Sequence, residues 1–325
     1  AADRPHWPAM GLFIVRRLGL LLVAVLVTSV LVFLLLRLLP GDLARIIGGT
    51  TASPARVEAL REELGLNRPL WNQYTEWMGG ILQGDFGQSA QNQASVTDEL
   101  GQKLTVTGPL VLFSTVLSVV VAVPLGIFAA ARNRSADGVA VSAIGQLGIA
   151  LPTFWVGLML ATIVGARWGW LPAQGFPRDG WSDPWEAIKR LTLPTITLAL
   201  SQGAVLLRFV RSATLDVLHQ DYIRTARAKG LTRNQALWRH GLRNAALPII
   251  SILGVQIASL IAGVVVIERV FSLPGVGQML VRDIGARDLD KVQGTVLLIA
   301  VIVLVIGFLI DLLHQLVDPR LRTRK

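Results

Sequence analysis

Six long apolar runs, separated by short stretches that carry the charges, dominate the hydropathy pattern of this chain. Each run approaches or exceeds the roughly 20 residues that a helix needs to cross a hydrocarbon core about 30 Å thick. The predicted fold class is therefore all-α, a polytopic membrane protein with about six transmembrane helices. We predict these helices over residues 10–39, 104–131, 138–166, 191–210, 246–267 and 292–313.

The first and fourth runs need separate comment. Residues 1–9 look like leader or vector-derived sequence ahead of Met10, and the first run is too long for a secretory signal, so we predict a retained helix. The fourth run contains Pro194 and several Thr and Ser, and it ends at Arg208. Such polar helices are usually shielded from lipid, so we expect the fourth helix inside a bundle.

Lys and Arg are distributed unequally between alternate connecting segments. One set holds 17 in 74 residues and the other 13 in 112. The richer set should be cytoplasmic, with both termini inside. It comprises the N-terminus, 132–138, 208–245 and 314–325, the last predicted as a cytoplasmic tail. The poorer set comprises a predicted external subdomain, 40–103, and predicted external loops 167–190 and 268–291. Residues 104–313 are predicted to form the core domain.

Composition narrows the function classes. Charged residues are only 16% of the chain, whereas about 25% is usual for soluble domains. There is no cysteine, which excludes disulfides and thiolate metal sites, and the four histidines lack i, i+4 spacing. The net charge of +10 is explained by cytoplasmic loops that meet anionic lipid, so we predict no nucleic-acid partner.

Sequence motifs for nucleotide binding or catalysis are missing. The chain has no Gly-Lys dipeptide, so the phosphate-binding GxxxxGK[ST] loop is excluded, and HExxH and GxSxG are also absent. We therefore predict no catalytic residue, metal or cofactor in this chain. If the protein moves solute uphill, the energy must come from another chain.

Two further groups of residues leave alternatives open. In the external segment, Ser53 is expected to cap one helix, and residues 69–82 to form another whose Trp71, Tyr74 and Trp77 anchor at the membrane interface or contact a soluble partner. Within the spans, four neutral polar residues either line a hydrated pathway or form interhelical hydrogen bonds. These candidates are Gln146, Gln202, Gln256 and Ser259.

The connecting segment 211–245 carries the strongest functional signal. With the end of the preceding span it holds eight Lys and Arg against Asp216 and Asp221. Two short helices are predicted around Gly230, the second beginning at Thr232 as N-cap. Small alanines replace the Leu, Phe or Trp that a lipid-bound amphipathic helix usually carries, so a protein-docking surface is favoured over a lipid-bound helix.

The run DYIRTARAKGLTRNQALWRHGLRNAALPII, from residue 221 to 250, resembles the cytoplasmic signature loop of ABC importer permeases of the dipeptide, oligopeptide and nickel branch. The general signature begins Glu-Ala-Ala and continues to a glycine. Here these positions are Arg224, Thr225, Ala226 and Gly230, so the Glu is missing and one Ala is Thr. Both this departure and the long stretch to Pro248 are similar to the peptide branch.

Other motifs of the same branch follow in order along the chain. They are RLLPGD (37–42), LGLNRPLWNQY (64–74), GDFGQS (84–89) and FSLPGVGQMLVRDIGARDLDKVQG (271–294). The resemblance covers residues 10–320 and is greater to the first of the two permease subunits than to the second. It implies the type I ABC importer permease fold.

The resemblance also implies a function and a set of partners. The chain would be half of a peptide pathway in a bacterial cell membrane, paired with a second permease subunit in a heterodimer. Two cytoplasmic ATPase subunits would bind ATP and Mg²⁺, and an external binding protein would deliver the peptide. Nickel or another small solute is the alternative within the branch, and an ATP-independent channel or carrier the alternative outside it.

By the same resemblance, the ATPases would dock on one short segment. Its charged residues would contact the ATPase rim and its small residues would permit close approach. The segment comprises Arg224, Thr225, Ala226, Arg227, Ala228, Lys229, Gly230 and Leu231.

Overall fold

A computed structural model describes residues 7–38, 44, 52–63, 65–89 and 91–317. The chain divides into two compact units, each described here by itself. Unit 1 comprises Ala1–Arg17, Thr107–Leu273 and Val305–Lys325, and unit 2 comprises Leu18–Val106 and Pro274–Leu304. Part of the predicted leader (1–6), part of the RLLPGD motif (39–42) and part of the predicted tail (318–325) lie outside the described residues.

Helices account for most of the described chain. In order they are α1 (Trp7–Leu38), α2 (Pro54–Glu63), α3 (Leu70–Leu82), α4 (Val96–Ala131), α5 (Ala136–Ala150), α6 (Thr153–Leu160), α7 (Pro184–Leu218), α8 (Asp221–Ala228), α9 (Arg233–Ala236), α10 (Leu242–Val270), α11 (Val276–Ala286) and α12 (Leu289–Val317). Within the described residues, α1, α4, α7, α10 and α12 are each long and apolar enough to cross a membrane, and α5 with α6 is a sixth candidate. The predicted all-α fold with about six spans is confirmed.

Helix α7 is the centre of unit 1, where α5, α6 and α10 pack against it. Of its most apolar window 56% is buried, against at most 28% in the other four long helices. This confirms the expectation that the most polar span lies inside a bundle. The helix is well defined at its start, since Asp183 accepts hydrogen bonds from the backbone N–H groups of Trp185 and Glu186, and Pro184 occupies the first turn.

The segment predicted as a single third span, 138–166, is a bent pair in the structure. Helices α5 and α6 meet at an angle of 98°. Leu151 has extended backbone angles, and Pro152 follows it. Because proline disfavours the helical conformation of the preceding residue, the helix stops at this point. Helix α6 then continues as a π-helical segment, Ala161–Arg167.

Unit 2 contains the part of α1 beyond residue 17, the segment predicted to be external, and the residues around α11. Tyr74 on α3 is buried, its hydroxyl lies 2.8 Å from the Ser29 hydroxyl on α1, and its ring meets Phe33 edge-on. Trp77 also lies beside Phe33, whereas Trp71 is 71% exposed. Of the three aromatics predicted to anchor at the membrane interface or to contact a soluble partner, Tyr74 packs α3 against α1, and the exposed Trp71 is available for either role.

Candidate functional site

Helix α8 has one apolar face, and that face is buried within unit 1. Ile223 and Ala226 are 1% and 8% exposed and belong to the same core cluster as Leu206 of α7 and Leu237. The exposed side carries polar and basic residues, among them Arg224, which contacts Asp221 at 3.3 Å. Because its apolar side is already covered by its own protein, α8 presents a basic polar surface.

The predicted docking segment is therefore divided between the two sides of α8. Ala226 points into the core and Leu231 packs against the same cluster, so both residues hold α8 against the rest of unit 1. The remaining six residues are exposed; they are Arg224, Thr225, Arg227, Ala228, Lys229 and Gly230.

Gly230 ends this first helical element in a backbone conformation that other residues rarely adopt. Its φ is +95°, and a Cβ atom built there would meet no atom within 4 Å. Its N–H donates to Arg227 O at 2.9 Å, which closes the turn. Glycine is required here by the left-handed turn and not by crowding within this chain.

The chain restarts at Thr232, as predicted, with a complete capping box. The Thr232 hydroxyl accepts from the Gln235 N–H, and the Gln235 side chain accepts from the Thr232 N–H. Arg233 donates to the backbone oxygen of Ala131 at 3.0 Å, which ties the segment to the end of α4. These contacts fix both ends of the turn to the helix bundle.

A cleft of 420 Å³ lies between the end of α7, the start of α8 and the start of α10. Its lining includes Phe209, Asp216, Tyr222 and Leu247. The basic surface of α8 thus borders a cleft with aromatic walls and one carboxylate.

The four candidate pathway residues do not form one group. Gln202 and Gln256 each donate from the side-chain amide to the other's backbone oxygen, both at 3.1 Å. This reciprocal pair joins α7 and α10, as the hydrogen-bonding alternative expects. Ser259 is exposed and bonds within α10 to Val255 O, and Gln146 lies in a separate cavity beside Arg208 and Arg211.

An ionic cluster in unit 2 was not found by sequence reasoning. Lys291, only 3% exposed, contacts Glu99 at 2.5 Å and Asp283 at 3.4 Å. Arg282 also bonds Glu99, at 2.7 Å, and this hydrogen bond is the main cause that raises the pKa of Arg282. Glu99 lies more than 180 positions before Arg282 and Lys291 in the sequence, so charge spacing along the chain gave no signal for these contacts.

One ion pair in unit 1 links α12 to α1. Asp311, near the end of α12, contacts Arg17 on α1 at 2.8 Å. Three residues further along, the His314 ring lies 2.9 Å from the Ser251 hydroxyl on α10, within hydrogen-bond distance.

Two family models together cover nearly the whole chain. Residues 122–323 match the binding-protein-dependent transport system inner membrane component, and residues 10–111 match the N-terminal component of the same family. The chain belongs to this family of membrane components. It is a permease subunit of an ABC importer.

Relatives and solved structures agree with this assignment. The chain is 38% identical to a probable peptide ABC transporter permease of Sinorhizobium fredii, over 96% of this chain and 100% of the relative. It is 36% identical to the glutathione transport system permease of Escherichia coli K12 (95% and 98% covered) and 35% identical to its dipeptide transport system permease (96% and 99%). The inward-facing MetNI methionine ABC transporter shares the fold, with a TM-score of 0.55 at 18% identity over 67% of this chain and 96% of that one.

Proposed function

We propose that this permease subunit serves the ATP-driven import of dipeptides and oligopeptides. The proposal is supported by relatives that are named for peptide, glutathione and dipeptide transport and align over at least 95% of this chain. The chain would form half of the pathway, with a second permease subunit as the other half. Gln146 and Ser259, and the helices joined by Gln202 and Gln256, are its proposed lining.

The single observation that carries the coupling mechanism is the division of α8 into two faces. Ile223 and Ala226 hold the helix against the bundle, while Arg227 and Lys229 are exposed. A movement of an ATPase subunit docked on the basic face would therefore be transmitted directly to α7 and α10, as rigid-body rocking of helices.

The remaining partners complete the transport cycle. Two cytoplasmic ATPase subunits would bind ATP and Mg²⁺ and hydrolyse ATP, because this chain carries no sequence motif for doing so. A substrate-binding protein would deliver the peptide from outside. Both termini and the segment 211–245 would lie in the cytoplasm, where the basic loops also meet anionic lipid.

The coupling role is tested with Gly230→Trp and Arg227→Glu in the reconstituted transporter. Tryptophan at a positive φ costs about 1–2 kcal/mol, so the turn should shift and displace the docking face. We expect ATP hydrolysis to persist while peptide uptake falls about tenfold or more. Arg178→Glu, an exposed residue in the predicted external loop, is the matched charge control and should behave as wild type. Normal uptake by both loop variants would refute the coupling role.

The substrate is tested by uptake of labelled dipeptide in a strain that lacks this gene. Restored dipeptide uptake on complementation supports the proposal, and restored nickel uptake without peptide uptake would favour the metal alternative. Liposomes that contain this chain without ATPase subunits test the channel or carrier alternative, because only that alternative predicts transport from them.

A further inference from the structure

Two neighbouring cavities in unit 1 differ sharply in chemistry. The first, of 240 Å³, lies between α5 and α7 and is lined by Ser142, Gln146, Arg208 and Arg211 among others. No acidic residue lines it. The second, of 330 Å³, is bounded by α4, α5 and α7, and its lining is apolar apart from Ser201. Gly145 and Leu207 line both cavities, so the basic cavity and the apolar groove lie side by side.

The two helices contribute polar and apolar lining in different ways. On α5, Ser142 and Gln146 line the basic cavity, and Ile144, Leu147 and Leu151, which interleave with them or follow them, line the groove. On α7, Arg208 and Arg211 lie toward the end of the helix, and Leu200, Ala204 and Leu207 precede them. Spacings of three and four residues place each series on one face. The lining that α7 contributes therefore changes from basic near the end of the helix, predicted cytoplasmic, to apolar at the positions before it.

Arg208 and Arg211 give the basic cavity two cations and no carboxylate among its lining residues. The Arg211 Nε is buried and has no hydrogen-bond partner among the described residues. Neither Arg208 nor Arg211 forms an ion pair within the described parts of the chain, although Arg208 stacks 5.2 Å from the centre of the Phe209 ring. A buried donor without an acceptor is costly, and guanidinium groups suit phosphate oxygens.

The groove offers a place for a hydrocarbon chain beside that anion. Ile144 and Leu147 on its wall are 68% and 65% exposed in this subunit, so the groove opens outward along α5. Its floor is closely packed, since a Cβ at Gly148 would lie 2.9 Å from the Ala204 Cβ. An apolar groove that opens outward beside a basic cavity, at the membrane boundary predicted from the sequence, fits an amphiphile and not a soluble anion alone.

We propose that this site binds an anionic phospholipid, with its phosphate at Arg208 and Arg211 and one acyl chain in the groove along α5. Basic cavities between transmembrane helices are suited to such headgroups.

Gln146 would then be a headgroup ligand in place of the pathway role given to it above. Ser259 and the helices joined by Gln202 and Gln256 would remain as the proposed pathway lining. The bound lipid would fill the space between α5 and α7. None of the residues 224–231, the predicted ATPase-docking segment, lines this space.

The test uses the complete transporter, purified, delipidated and titrated with phosphatidylglycerol or phosphatidylcholine, with bound lipid counted by native mass spectrometry. Wild type should prefer phosphatidylglycerol by about tenfold, or about 1.4 kcal/mol, because the choline cation of phosphatidylcholine offsets the phosphate charge that the two arginines would pair with. The double variant Arg208→Gln, Arg211→Gln should lose this preference. Arg16→Gln, an exposed arginine near the same predicted membrane surface, should retain it.

Two further arms identify the source of the phosphate and the role of the groove. Leu147→Trp should fill the exposed groove and weaken binding of the whole lipid, while Arg208 and Arg211 stay intact. Soluble glycerophosphoglycerol should bind much more weakly than the lipid. Equal binding of the two, with no effect of Leu147→Trp, would mean a free-phosphate site and overturn the proposal. An unchanged lipid preference in the double arginine variant would overturn the proposal too. So would a complete transporter that binds no phosphatidylglycerol, the result expected if the partner permease covers the groove.

Discussion

Individual glycines in this permease have two different physical roles. Gly230 provides a positive φ in open space, whereas Gly126, Gly145 and Gly148 permit close packing between helices. A Cβ at Gly126 would lie 2.7 Å from Val210 side-chain atoms and 2.9 Å from Leu207 O. Substitution at the second kind of position forces two helices apart, because neither a backbone oxygen nor a branched side chain can move aside cheaply.

We predict that Gly126→Ala destabilises the subunit by about 1–3 kcal/mol, the usual effect of an overpacked interior. The matched control is Gly108→Ala on the same helix, where a Cβ meets nothing within 4 Å. That change should be neutral or stabilise by up to about 1 kcal/mol, because alanine favours helix more than glycine does. Thermal unfolding of the detergent-solubilised protein, followed by tryptophan fluorescence, measures both. Equal unfolding temperatures for the two variants would contradict the close packing of α4 on α7.

The turn at Gly230 and the helix cap at Thr232 could be predicted from the sequence. Which side chains between Asp221 and Gly230 face the core could not. Turn and capping chemistry is local, so the break at Gly230 and the cap at Thr232 could be predicted from residue types alone. Ala226 was assigned to the docking surface because it is small, yet it faces the core. Which side of a short amphipathic helix meets its own protein depends on distant residues such as Leu206, and no local pattern contains that information.

At the scale of helices and loops, the structure departs from the sequence prediction where distant segments meet. The six apolar runs were sufficient to predict an all-α fold with about six spans. The 98° bend at Pro152 was missed because proline is common inside transmembrane helices, and α4, α7 and α10 each continue through at least one. The ionic cluster around Lys291 was missed because its partners come from α4, α11 and α12.

The ionic cluster should make a large contribution to the stability of unit 2. Lys291→Met removes the central cation and leaves Glu99 and Asp283 facing each other with only Arg282, so we expect a loss of about 3–5 kcal/mol, as for other broken buried pairs. Arg68→Gln is the control, because Arg68 and Glu76 form a 2.7 Å pair whose side chains are 56% and 63% exposed. That change should cost less than about 1 kcal/mol. Thermal unfolding again reports the difference, and similar small losses in both variants would show that Lys291 is dispensable.

At the scale of the whole molecule, the proposed topology connects the charge pattern with the coupling segment. The docking proposal requires α8 to face the cytoplasm, and the lipid proposal places Arg208 and Arg211 at the same membrane surface. Both requirements follow from the higher density of Lys and Arg in one set of loops. An independent measurement of sidedness therefore tests a premise that the two proposals share.

The absence of cysteine makes that measurement direct, because any single introduced cysteine is the only thiol in the chain. We predict that Ser182→Cys, exposed in the predicted external loop, reacts with a membrane-impermeant maleimide in intact spheroplasts. Asn234→Cys, exposed just beyond Gly230, should react only after the membrane is permeabilised. Both positions are accessible in this subunit, so a difference in labelling reports the side of the membrane. Labelling of Asn234→Cys from outside would place α8 away from any cytoplasmic ATPase and would refute the coupling mechanism while leaving the membership of the family intact.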